Sequence, residues 1–208
     1  MYRHVFWDLG GTLVDTYPQL DAAFAAVVRR HGGELELLDV ARLTRTSTGT
    51  AITTLAERFG IDPAEFEQAN ADLKTLWKTT PAPAMAGARQ LLEDVSARGG
   101  LNLVVTHRDR TSAFSLLDGL GLRCDDLIST GDGHARKPDP QMYRVLLERH
   151  GLDPQECLSV GDRPIDAVAS HAAGIRAVML ESPEGPVDDD AEYSIATLDE
   201  LRPLLCME

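Results

Sequence analysis

Two aspartates stand directly after short apolar runs. Asp8 opens the cluster Asp8-Leu9-Gly10-Gly11-Thr12, and Asp162 lies in Gly161-Asp162-Arg163-Pro164-Ile165-Asp166. A third run leads into Thr106-His107-Arg108-Asp109. A fourth segment, Arg136-Lys137-Pro138-Asp139-Pro140, opens a helical pattern and could project a fixed cation. A carboxylate at a strand end can attack phosphorus as a nucleophile. A second carboxylate can share Mg2+ with it, since Mg2+ prefers oxygen ligands and takes one or two carboxylates. A lysine offsets charge on a transferring phosphoryl group, and a threonine hydroxyl with loop N–H groups can hold its remaining oxygens.

These clusters lie up to about 150 residues apart, so their value depends on the elements that carry them. Residues 3–7, 101–105, 127–130, 157–160 and 176–180 read as five buried strands. All but the first are entered from a helical segment, which predicts a parallel sheet with helices on both faces. Ligands in such sheets bind at the carboxyl ends of the strands, where the clusters stand. Helical stripes are expected over 87–98 (Ala88, Leu91, Leu92, Val95) and 140–150 (Tyr143, Leu146, Leu147, His150). A capping box is expected at Thr197 and Glu200, before Leu201, Leu204 and Leu205.

Residues 16–83 break the alternation. Leu20, Phe24, Val27 and Val28 form a stripe ending at Gly32-Gly33. Asp62-Pro63-Ala64-Glu65 reads as N-cap, N1 proline and capping glutamate for a helix bearing Phe66, Leu73, Leu76 and Trp77. The expectation is an α/β Rossmann-like three-layer core over 1–15 and 84–208, with an all-helical insertion over 16–83. Within it, Arg42, Arg45, Thr46, Ser47 and Thr48 read first as a solvated helix end, with a crevice-facing cluster as the alternative. Residues 181–192 read as a solvated acidic loop.

The chain has 208 residues, enough for one domain with a modest insertion. Its net charge of −13 disfavours nucleic acid and anionic membrane as partners. No apolar run approaches the roughly 20 residues of a membrane span. Met1-Tyr2-Arg3-His4-Val5 runs straight into a strand-like segment, without a signal peptide. Cys124, Cys157 and Cys206 form no CxxC pair, so the expectation is a cytoplasmic protein with reduced thiols. The sequence sets no oligomeric state.

Four motifs in order, from Phe6-Trp7-Asp8-Leu9-Gly10-Gly11-Thr12-Leu13-Val14-Asp15 through Thr106 and Lys137-Pro138-Asp139-Pro140 to Gly161-Asp162 with Asp166, resemble the haloacid dehalogenase-like (HAD) hydrolases over essentially the whole chain. The insertion resembles the small helical cap of the phosphoglycolate phosphatase-like subgroup. The resemblance implies a first strand central in the sheet, Mg2+ as cofactor, and a small phosphorylated metabolite as substrate. It implies Asp8 as nucleophile, Thr106 as phosphate binder and Lys137 as a bridge between Asp8 and the phosphoryl group. Asp8, Asp162 and the Gly10 carbonyl would hold the metal, with Asp166 in support. Thr12, His107 and Arg108 join Thr106 and Lys137 as expected substrate contacts.

One departure stands out. Phosphatases of this family usually carry a second aspartate two residues after the nucleophile, as general acid and base. Here that position is Gly10. A missing acid-base typically costs about 10²–10⁴ in rate. Histidine can do this work near neutral pH, which makes His107 and His134 candidate replacements. Haloacid dehalogenases lack the second aspartate, but they work without Mg2+ and have no need of the Gly161-Asp162 pair. Phosphonoacetaldehyde hydrolases use a cap lysine soon after the first motif, whereas the first lysine here, Lys74, is far along the chain. Cleavage of a carbon–halogen or carbon–phosphorus bond, or a weakly active ligand-binding protein, are therefore the alternatives to a phosphatase.

Overall fold

The computed structural model describes residues 2–182, 184–186 and 190–207. The chain runs β1 (His4–Trp7), α1 (Tyr17–Arg30), α2 (Leu37–Thr46), α3 (Thr48–Phe59), α4 (Pro63–Leu76), α5 (Ala88–Ala97), β2 (Asn102–Val105), α6 (Arg110–Gly119) and β3 (Asp126–Ile128). It continues through α7 (Gln141–His150), β4 (Cys157–Gly161), α8 (Pro164–Ala172), β5 (Arg176–Leu180), β6 (Tyr193–Ile195) and α9 (Leu201–Leu204).

Every residue of β1, β2 and β4 is buried. Two-sided burial is what a parallel sheet covered by helices requires. Alternation along β1 sends Val5 and Trp7 to one face and Phe6 to the other, and the two sets join separate apolar clusters. Helices α5, α6 and α9 close the first face through Leu91, Leu116 and Leu201. Helices α7 and α8 close the second through Leu146 and Ala169. The order is β3-β2-β1-β4-β5-β6, with parallel pairing throughout, so the first strand is central as expected.

The five expected strands form within one or two residues of their reading. The largest error is at 127–130, where β3 stops at Ile128 and Thr130 enters a 3-10 turn. Strand β6 has no counterpart among the expected strands, because three residues behind an acidic loop carry almost no pattern. The expected loop at 181–192 is irregular where described, and residues 183 and 187–189 lie outside the described residues. The Thr197 capping box does not close. Its hydroxyl meets Glu200 at 3.0 Å without capping a backbone N–H, and a 3-10 turn precedes the four-residue α9.

Helices α1 to α4 contribute no strand to the sheet, and they have their own core of Leu20, Phe24, Val27, Val28, Val40, Leu55 and Phe66. Phe24 and Phe66 meet edge to face at 5.5 Å. Asp62 caps α4 by accepting from Ala64 N at 2.9 Å, but Glu65 pairs with His31 rather than with the cap. Leu76, expected on the apolar stripe, is 49% exposed at the last turn of α4, where the buried Trp77 takes the inward place. The chain leaves and re-enters the core side by side: Asp15 N donates to Pro83 O and Met85 N to Leu13 O, each at 2.9 Å.

Because the helical core is separate from the sheet core, it should open separately. Phe24→Ala should cost about 3–5 kcal/mol, the usual loss for a buried phenylalanine. Hydrogen exchange will show that loss in α1 to α4, while β1 and β4 keep their protection. Equal loss of protection in both parts would show one cooperative unit.

Candidate active site

Parallel pairing places the ends of β2, β1 and β4 side by side. Trp7 is in register with Val104 on one side and Val160 on the other. Asp8, Thr106 and Asp162 each follow their strand, so three distant clusters meet on one edge. Asp8 N donates to Val160 O at 2.9 Å and Thr106 N to Ile128 O at 3.0 Å, which extends the ladder into the site.

Carboxylate oxygens of Asp8, Asp162 and Asp166 all lie within 4.8 Å of one another, and all three side chains are buried. Lys137 reaches them from the loop before α7. Its Nζ donates to Asp8 Oδ1 at 2.6 Å, to Val105 O at 3.0 Å and to Asp166 Oδ1. All three ammonium protons are thus placed. Burial would lower the Lys137 pKa, but Asp166 and Asp8 hold it well above the ordinary lysine value. Burial pushes Asp8 up, yet the charges of Lys137 and Arg163 and the lysine hydrogen bond outweigh it, so Asp8 stays ionised. Asp162 has no such cation bonded to it. Burial, then Asp8 and Asp166, push it up to about 7.

Asp162 is held from the side instead. Thr12 Oγ1 donates to its Oδ1 at 3.2 Å and the Tyr17 phenol to its Oδ2 at 2.5 Å. Two glycines permit this crowding. A Cβ at Gly11, where φ is +92°, would lie 2.4 Å from the Tyr17 ring and 2.6 Å from Asp162 Oδ2. A Cβ at Gly161 would lie 2.4 Å from that of Asp166. Asp166 also accepts from Arg163 N at 3.2 Å, so it serves the first turn of α8 and the carboxylate cluster together.

A cavity of about 480 Å³ opens over Asp8, between the sheet edge and the helical insertion. Asp8, Gly10, Thr106, His107 and Arg108 line it as expected, with Arg136 and Arg163 added from the core. Thr12, expected among the substrate contacts, does not line it, because its hydroxyl is committed to Asp162. Lys137, Asp162 and Asp166 lie behind the cavity wall rather than in it. His134, which follows the left-handed Gly133, is not on the lining.

His107 is. Its Nε2 is buried without a hydrogen-bond partner among the described residues, and so is Arg163 Nε. Burial, then the charges of Lys137, Arg136 and Arg163, bring the His107 pKa down to about 4. The same burial would lower Arg163, but Asp8, Asp166 and Asp162 hold it above its ordinary value.

The insertion supplies Tyr17, Thr44, Ser47, Thr48, Asn70, Lys74 and Trp77 to the same cavity. Ser47 and Thr48 therefore face the crevice, against the solvated reading, because the turn between α2 and α3 points at the core. Arg45 is buried beside them, paired with Asp21 at 2.5 Å and stacked 4.2 Å from the Tyr17 ring centroid. Lys74 is correctly far along the chain but not far in space: α4 returns it to the cavity. No motif flagged Tyr17 or Trp77. Their only sequence signal is an aromatic ring at each end of the insertion.

The carboxylate cluster suits a hard divalent cation. It offers only oxygen donors, and Asp162, raised to about 7, is the carboxylate whose charge is left uncompensated. Among the described residues no helix is long and apolar enough to cross a membrane.

The family model for haloacid dehalogenase-like hydrolases matches residues 2–174. The chain is 32% identical to a phosphoglycolate phosphatase of Rhodospirillum rubrum over 193 aligned positions, covering 86% of this chain and 80% of that one. It is 31% identical to hexitol phosphatase A of Escherichia coli, over 85% of this chain and 82% of that one. In structure it is similar to a HAD family hydrolase of Deinococcus radiodurans solved with bound phosphate and sodium. That match has a TM-score of 0.82 at 22% identity, over 99% of this chain and 95% of that one. A sheet with Asp8 at its central strand end, an all-helical cap above it and relatives of this kind lead to one assignment: the chain belongs to the haloacid dehalogenase-like hydrolase family.

Proposed function

We propose that this protein is a Mg2+-dependent phosphohydrolase that acts in the cytoplasm on a small phosphorylated metabolite through an aspartyl-phosphate on Asp8. The observation that carries this reading is the Asp8 carboxylate. It is buried at the strand end, held ionised by Lys137, and open to the cavity on its other side. Phosphoglycolate, on which the Rhodospirillum rubrum relative is named, is the reference compound to test.

In this reading Asp8, Asp162 and the Gly10 carbonyl would hold Mg2+ with support from Asp166, and the bound ion would supply charge screening for the phosphoryl oxygens. Lys137 fixes the attacking oxygen and offsets its charge in the ground state and the transition state. Thr106 and the neighbouring N–H groups take the remaining phosphoryl oxygens, and Arg163 supplies a second positive charge facing Asp8. His107, neutral at pH 7, has a free ring nitrogen that accepts a proton from the water that later releases phosphate. Residues 16–83 act as the closing unit, with the paired linkers at Leu13–Asp15 and Pro83–Met85 as hinge.

A second reading rests on one observation. Lys74 shares the cavity with Asp8 while Gly10 supplies no acid, an arrangement compatible with carbon–phosphorus cleavage through a lysine imine. Phosphate release from phosphonoacetaldehyde that is lost on Lys74→Met would favour it over the first.

For the leading reading, Asp8→Asn should abolish phosphate release from every substrate, and Asp162→Asn should weaken Mg2+ binding measured by calorimetry. Normal turnover in either variant would refute the assignment. Lys137→Met leaves Asp8 and Asp166 as buried, unpaired charges. It should lower stability by about 3–5 kcal/mol, the usual cost of breaking a buried ion pair from one side, and stop turnover. Denaturant melts and assays on the folded fraction separate the two effects.

His107 gives a pH signature. Its folded value of about 4 lies below its ordinary 6.5, so between these the unfolded chain binds more protons. Its contribution to stability is therefore full above about 6.5 and is lost as pH falls through 4. Relative to His107→Gln, the native protein should lose melting temperature across that window. Parallel curves would place the imidazole in solvent.

A further inference from the structure

Gly10 is not a glycine for conformational reasons. Its φ is outside the left-handed region, and the atoms nearest to a Cβ there would be Thr16 Oγ1 at 3.2 Å, Arg108 Nη2 at 3.8 Å and Thr16 Cγ2 at 4.0 Å. A hydroxyl at 3.2 Å can rotate away, so the backbone would accept a side chain. What occupies the neighbourhood of the missing carboxylate is the Arg108 guanidinium.

That guanidinium is built in place. Arg108 Nη1 donates to Ser112 Oγ at 3.1 Å, and its backbone N donates to Thr106 Oγ1 at 3.1 Å. Its plane sits 4.9 Å from the Trp77 ring centroid, a cation–π contact that joins core to cap. Arg136, Arg163 and Lys74 line the same cavity, so the space over Asp8 is strongly cationic.

Proton donors are scarce there. The Tyr17 phenol proton is already committed to Asp162 Oδ2 at 2.5 Å. His107 faces Lys137, Arg136 and Arg163, whose charges outweigh that of Asp8, and it is neutral at pH 7. Arginines do not donate protons at this pH. Lys74, on the cap, is the one remaining acid among the described lining residues.

We propose that Arg108 replaces the family's general acid by stabilising the leaving oxygen as an anion, so that the substrates are phosphate compounds with a stable anionic leaving group, acyl phosphates and phosphoanhydrides ahead of alkyl esters. This rests on the reading of Asp8 as nucleophile. An Asp8 oxygen forms the bond to phosphorus while the bond from phosphorus to the leaving oxygen breaks. The electron pair stays on that oxygen, which departs as carboxylate or phosphate without needing a proton. Water then adds its oxygen to phosphorus, passing one proton to His107, and the Asp8–phosphorus bond breaks with its pair returning to the carboxylate; His107 returns that proton, so both water protons leave on dihydrogen phosphate. The first step needs a fixed cation at the leaving oxygen, and a guanidinium held by Ser112 and the Trp77 ring supplies one that need not reorganise.

The test is a leaving-group series with Mg2+: acetyl phosphate, p-nitrophenyl phosphate, phenyl phosphate and phosphoglycolate. The native protein should show kcat/KM falling steeply along it. Arg108→Ala should lower phenyl phosphate turnover by about 10²–10³, the usual cost of removing one oxyanion donor, and lower acetyl phosphate turnover by a clearly smaller factor. Arg108→Lys should recover part of that loss. The native series and the lysine variant stand even if Arg108→Ala loosens the cap. A flat series overturns the proposal, and so does an equal loss on all four substrates in Arg108→Ala. A series that is flat in the native protein and steep only in Lys74→Met would assign the proton to Lys74 and overturn it as well. Acid-quenched phosphoenzyme from acetyl phosphate separates the two levels. Phosphoenzyme with a flat series ends this proposal alone, whereas no phosphoenzyme and no phosphate release from any substrate end both readings.

Discussion

The Lys137 ammonium is the contact on which the site depends. Three carboxylates within 4.8 Å of one another cannot all be buried and ionised without a cation among them. Lys137 is fully buried, and it bonds two of the three along with a backbone carbonyl of the neighbouring strand end. An ion so desolvated is stable only when its partners are close and its remaining protons are satisfied, and both conditions hold. The consequence is a division of labour. Lys137 holds Asp8 below its ordinary value, whereas burial raises Asp166 despite its bond to Lys137 and pushes Asp162, which has no bonded cation, up to about 7. In the proposed reading, one lysine thereby readies Asp8 as the nucleophile and leaves Asp162 for a divalent cation.

The same cluster depends on close backbone approach. Gly11 and Gly161 stand where any Cβ would strike Tyr17, Asp162 or Asp166. They let β1 and β4 deliver their aspartates into one small volume, and they let the cap reach that volume through Tyr17. The cap is thus more than a cover. Tyr17 bonds the core's Asp162, Arg45 stacks on Tyr17, and Trp77 carries Arg108. Movement of the cap would change the surroundings of both the carboxylate cluster and the cation at its far side, so closure and electrostatics are coupled in this fold.

Charge at the far side differs in kind from a proton-donating site. Gly10 removes an anion, and Arg108, Arg136 and Arg163 bring cations to the cavity of a protein whose net charge is −13. A local positive potential inside an acidic surface favours small anions, which enter a cleft that repels large polyanions. His107 follows from the same field: an imidazole beside that many cations remains neutral.

Much of this was legible in the sequence, and for one reason. Strands that alternate with helices must run parallel, and parallel strands bring their ends to one edge. Asp8, Thr106 and Asp162 could therefore be placed together without knowing any contact, and Lys137 needed only the motif that carries it. What the sequence could not contain was the direction of side chains whose partners lie across the cap–core interface. Lys74 and Ser47 looked remote or solvated because distance along a chain says nothing about where a four-helix insertion turns back. Thr12 looked like a substrate contact, until packing turned its hydroxyl onto Asp162. Tyr17, Trp77 and the placement of Arg108 beside Gly10 arise from long-range packing of two separate cores. Local pattern fixes which elements form and which ends they present; only their tertiary docking decides which side chains face the same few ångströms of space.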